Sequence, residues 1–152
     1  VLQVPHLGTF QVPDHVEWAG MILQDFHTGN VDRDDYFQLE PFIRQGAVIL
    51  THVAGGGLAD ERNLHPGLVL HAVNGRPTGS LAALRQALAG IEAEYQAWRE
   101  STGFLEEKAL YDPRNYAVIR YSRWDEESCA FVERRTTVPI ERARAGGRSL
   151  TR

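Results

Sequence analysis

GAVILTHVAGGGLADERNLHPGLVLHAVNGRPTGSLAALRQAL, residues 46–88, is the stretch from which the fold is read. Gly46 to Val53 is a continuous β-branched and apolar run of strand length, the pattern of a strand covered on both faces, so it is expected to be central. Gly55, Gly56 and Gly57 break it. Leu58, Ala59, Asp60 and Glu61 then favour a helix, which cannot pass Pro66, so one or two turns are expected. Leu68 to Val73 is a second apolar strand, ending at Asn74-Gly75, a dipeptide in which both residues tolerate positive φ and which therefore closes a tight hairpin turn. The Ser80 hydroxyl is suited to cap a helix opening LAALRQAL.

Downstream, Leu81, Leu84, Leu88, Ile91, Tyr95 and Trp98 recur at spacings of three and four, which places them on one face of a helix. Gly90 interrupts the stripe at a cost of about 1 kcal/mol relative to Ala; the helix either runs through to Glu100 or stops at Gly90 and restarts. Phe104 to Tyr111 reads as one or two further helical turns, and Asp112-Pro113 as a turn. A hairpin follows, Tyr116 to Trp124 and Cys129 to Val138, joined by the acidic turn at 125–128. Upstream, Val1 to Val4 and Ala19 to Phe26 read as strands, and residues 28–44 as a long polar excursion.

The chain has 152 residues, which fits one domain over residues 1–140 with residues 141–152 as a flexible basic tail. Apolar residues at 43% and charged residues at 24% are ordinary for a chain that buries a core. The net charge of −4 argues against broad contact with phosphate backbones. Cys129 is the single cysteine, so no intrachain disulfide forms. No apolar run approaches membrane-spanning length, and no membrane contact is expected. An opening of VLQVPHLG, with neither Met nor a signal pattern, reads as a segment of a longer protein.

No catalytic set emerges. The five serines lie in no glycine-rich nucleophile elbow, and Ser80 reads as a helix cap. Cys129 falls within an expected strand rather than in the basic, accessible setting of a reactive thiolate. The six histidines show no zinc spacing; His52 and His71 lie on expected strands and could face each other, although two such histidines are more often structural. Asn30, Asp32 and Asp34 imitate the start of a calcium loop, but Asp35 and Pro41 stand where Gly and a bidentate Glu are required. Gly55 to Gly57 lack the Gly-Lys-Ser/Thr of a nucleotide loop. Neither a metal nor a cofactor is expected.

The order strand, short helix, His65-Pro66-Gly67 turn, strand, Asn74-Gly75 turn, capped helix resembles the PDZ domain of HtrA/Deg-type serine proteases. It departs at Leu68, where that family usually has Asp, and in the glycine run at 55–57. The resemblance implies a mostly β fold with two or more helices, a PDZ-like partly open barrel or sandwich of five or six strands, with residues 91–114 as a helical insert before the last hairpin. It implies a non-catalytic module that binds hydrophobic C-terminal or extended peptide segments, including those of unfolded proteins, by strand addition, and so regulates proteolysis by a protease domain of the same parent chain. For a bacterial member it implies an extracytoplasmic, periplasmic compartment. The matching loop is Trp18, Ala19, Gly20 and Met21, whose amides would receive a peptide carboxylate. Met21, Ile22, Leu23 and Gln24 would be the accepting edge, faced by Leu81, Arg85 and Leu88, with Leu84 turned to the core. The alternative is a PDZ-fold assembly module whose groove is blocked by its own inserts and which mediates oligomerisation. The aromatics Tyr95, Trp98, Phe104 and Tyr111 are expected to pack on their own domain, and otherwise to meet a protease domain or a second subunit.

Overall fold

The computed structural model describes residues 14–26, 42, 45–102 and 111–144. The strand expected at Val1 to Val4, the excursion 28–44 apart from Phe42, the turns from Phe104 to Leu110, and residues 145–152 lie outside them.

The described chain is mostly β, with helices packed on an open antiparallel sheet. In order come β1 (Val16–Trp18), β2 (Met21–Asp25), β3 (Val48–Val53), α1 (Leu58–Glu61), β4 (Val69–Val73), β5 (Arg76–Pro77), α2 (Leu81–Thr102), a 3-10 turn (Pro113–Asn115), β6 (Tyr116–Asp125) and β7 (Ala130–Pro139). Residues 140–144 are helical. The sheet runs β1-β2-β3-β4-β6-β7, with β5 as a short second partner of β4. Among the described residues it has seven strands rather than five or six. The additional ones, β1 and β5, are too short to show as hydrophobic runs.

Side-chain alternation builds two layers on this sheet. Met21, Leu23, Val48, Leu50, Leu70, Ile119 and Tyr121 point to one face and form the main core with Leu81, Leu84, Ile91, Tyr95 and Trp98 of α2. Ile49 and Val69 point the other way, where Phe26, Phe42 and Phe131 cover them. That double cover explains the unbroken apolar run at the start of β3.

The local signals between residues 46 and 88 produce the expected elements. Asn74 and Gly75 take φ of 50° and 74°, closing the two-residue turn that pairs Val73 with Arg76. The Ser80 hydroxyl accepts from the Ala83 amide at 3.1 Å, fixing the start of α2. That helix continues through Gly90 to Thr102. A Cβ at Gly90 would lie 2.6 Å from the Arg76 guanidinium, so the glycine leaves room for Arg76 to cross the helix and pair with Glu94.

Residues 140–144, which cover the start of the basic tail expected at 141–152, are packed rather than free. Ile140 and Ala143 are buried. Glu141 accepts from the Tyr95 hydroxyl at 2.7 Å and pairs with Arg99, while Arg142 pairs with Glu61 and Arg144 with Glu92. Four non-local partners hold a segment whose own sequence is polar. Cys129 is likewise not within a strand: it ends the turn before β7, exposed, with φ of 50°.

Candidate functional site

The residues named for a peptide groove do converge, around β2 and the first half of α2, but the position expected for a ligand holds part of the chain itself. Val16-Glu17-Trp18 is an apolar-polar-apolar triplet, enough for a short strand. It pairs antiparallel with β2, Val16 opposite Leu23, Glu17 opposite Ile22 and Trp18 opposite Met21. The edge from Met21 to Leu23 is therefore covered. Ala19 and Gly20, at φ of 55° and 75°, form a tight two-residue turn rather than an open loop.

The turn's polar groups are also engaged. The Ala19 amide donates to the Ala143 carbonyl at 2.9 Å, so the helical segment 140–144 stands where a peptide carboxylate was expected. The Ala19 carbonyl accepts from the Ala59 amide and the Gly20 carbonyl from the Ala54 amide, at 3.1 and 2.9 Å. The expected carboxylate nest is a structural junction between β1, α1 and the helical segment 140–144. Met21, Leu23 and Leu81 are each at most 3% exposed and belong to the core, so they offer no open pocket; Leu84 is in the core as expected. Ile22 is half-buried beside His52. Leu88 is half-buried and packs on the main core, as Val16 and Trp18 do.

Electrostatics closes the arrangement on the helix side. The Asp25 carboxylate, at the end of β2, accepts from the Leu81 amide at 2.9 Å and sets the start of α2 beside that strand end. About one turn on, Arg85 donates to both Asp14 carboxylate oxygens, at 3.2 and 2.6 Å, and to the His15 carbonyl at 3.2 Å. The guanidinium holds the Asp14 carboxyl below its ordinary range, and Asp14 raises Arg85 in turn. Residues 14–18 thus bridge β2 and α2 by backbone pairing, apolar anchors and a forked ion pair. Asp14 and Val16 were not singled out in the sequence, because an alternation of three residues is too short to mark a strand by itself.

Two other groupings of polar or aromatic side chains lie elsewhere on the sheet. His52 and His71 do not meet, because the β3–β4 ladder runs only from Val48↔Leu70 to Ile49↔Val69. Instead His71 Nε2 lies 2.6 Å from the Ser122 hydroxyl, where the β4–β6 ladder slips by one residue. Burial first, then the Arg120 charge, lowers the His71 pKa, with Glu133 opposing. No carboxylate is hydrogen-bonded to this histidine among the described residues, and Ser122 is buried, so the pair is a polar clasp across a bulge. A cleft of about 290 Å³ lies between α2 and β6, lined in part by Tyr95, Trp98, Arg114, Tyr116 and Ile140. Tyr95 and Trp98 are themselves buried in their own domain, and Arg114 lies 4.8 Å above the Trp98 ring.

Among the described residues no group of three or more His, Cys, Asp or Glu side chains is placed to hold a metal, and no helix is long and apolar enough to cross a membrane. No family model, no curated protein and no solved structure matches the chain.

Proposed function

We propose that this chain is a peptide-recognition module of PDZ type, resembling those of HtrA/Deg proteases, which holds an extended segment as an added strand on β2 beside α2. The observation that supports it is the strand already in that position: Val16–Trp18 pairs along β2 while Arg85 of α2 grips Asp14 just ahead of it. A site that holds one extended segment by main-chain pairing and two apolar anchors has the features needed to hold another. In a longer chain, the same resemblance makes a serine protease domain the partner whose cleavage this module regulates.

The engaged Ala19 amide changes one element of the expected ligand. With its donor given to Ala143, the turn offers little to a terminal carboxylate, so extended internal segments suit the site as well as free C-termini. The test is calorimetry on the full chain with β1 loosened by Val16→Ser and Trp18→Ser, against apolar peptides with free and amidated ends. Binding near micromolar, about −8 kcal/mol, and indifferent to amidation is expected. Failure of every peptide to bind the folded variant would falsify the reading.

The second reading, an assembly module with an occluded groove, is favoured by the same filled position. It predicts that the loosened chain binds no peptide and that the unaltered chain self-associates in sedimentation. The first reading predicts neither outcome.

A further inference from the structure

The segment that fills the site carries chemical information about what the site accepts. We infer that the β2–α2 site selects extended peptides bearing a side-chain carboxylate followed, two and four residues later, by apolar side chains, the pattern that Asp14, Val16 and Trp18 present in cis. This rests on the strand-acceptor reading above and adds the ligand class to it.

Three features of the bound segment support the pattern. Its backbone runs antiparallel to β2, which fixes the direction of an incoming peptide but reads no sequence. Its side chains alternate: Val16 and Trp18 rest on the main core while Glu17 stays exposed, so the apolar positions are read and the one between them is not. Arg85 then forks onto Asp14 through two nitrogens. That planar fork matches a carboxylate better than any neutral side chain. The Asp25 carboxylate accepts from the Leu81 amide and also acts on the Arg85 guanidinium through its charge, while the direct hydrogen bonds of that guanidinium go to the segment.

Cis occupation sets the conditions of the test. A strand tethered through a two-residue turn competes at an effective concentration of about millimolar or more, which a peptide of micromolar affinity does not overcome. The full chain is therefore used with Asp14→Ser, Val16→Ser and Trp18→Ser together, which keep the backbone but remove the three side chains. Its folding is checked by dispersion of amide NMR signals. Two blocked peptides serve as probes, Asp-His-Val-Glu-Trp and the same sequence with Lys in first place.

The acidic peptide is expected to bind about fivefold more tightly than the Lys peptide, the range open to a solvent-exposed ion pair. Adding Arg85→Glu should invert that order. Equal binding of both peptides in both backgrounds overturns the carboxylate preference while leaving strand acceptance standing; no binding of either to the folded variant overturns strand acceptance itself. Should the triple variant fail to fold, the swap is read within the chain. Asp14→Lys and Arg85→Glu should each lower the melting temperature and their combination recover it; a combination no better than the worse single variant overturns the proposal.

Discussion

Gly20 shows how a single backbone angle decides what a mutation reports. Its φ is +75°, a conformation that a β-branched side chain rarely adopts, so Gly20→Val strains the β1–β2 turn, while a Cβ there would only touch the Leu58 amide nitrogen at 3.4 Å. A loss of about 2 kcal/mol or more is expected in denaturant unfolding, whether or not a ligand is present. The variant is a test of folding rather than of carboxylate binding. His71 supplies a pH signature. Its folded-state pKa lies below the ordinary 6.5, so the unfolded chain takes up more protons between 6.5 and the folded value. The stability that depends on keeping the buried His71 neutral is full above about pH 6.5, falls as the pH drops through that value, and levels off below the folded-state pKa. His71→Gln should flatten this part of the stability profile. Neither residue's role was evident in the sequence: the turn at Ala19-Gly20 resembled a loop, and the His71–Ser122 pairing depends on a bulge that shifts register between two distant strands.

Elements with local causes were the readable ones. Asn74-Gly75, the Ser80 cap and the stripe from Leu81 to Trp98 act within a few residues of themselves, and each produced its expected turn, helix start or buried face. The continuity of α2 through Gly90 was left open because a glycine within a helical pattern reads as a break, whereas its reason here is non-local: it makes room for the Arg76 side chain crossing at that point. This gives a testable coupling. Gly90→Ala alone should gain less than the usual ~1 kcal/mol, because the new methyl group displaces Arg76 from Glu94. In an Arg76→Ala background the full gain should appear, and thermal unfolding of the four variants measures the difference. The same distinction explains the other errors. Residues 140–144 look like a frayed end because their partners Tyr95, Glu61 and Glu92 are far off in sequence, and β1 is too short to be recognised without β2 beside it.

At the scale of the molecule, an open sheet packs its main-core face on α2, and between β2 and the helix an extended segment meets backbone, apolar surface and a cation together. The helix before the last hairpin was legible from periodicity and the mostly β class from the order of elements and the resemblance it carried; the content of the groove was not, because it depends on which segment wins a competition for one edge. The most direct test of that account is amide chemical-shift mapping of the full chain with Asp14→Ser, Val16→Ser and Trp18→Ser, titrated with the Asp-His-Val-Glu-Trp peptide. The account predicts saturable shifts along Met21 to Gln24 and across Leu81 to Leu88, with little change near Tyr95, Trp98 and Tyr116. Shifts confined to those aromatics, or none at all in the folded protein, would contradict it.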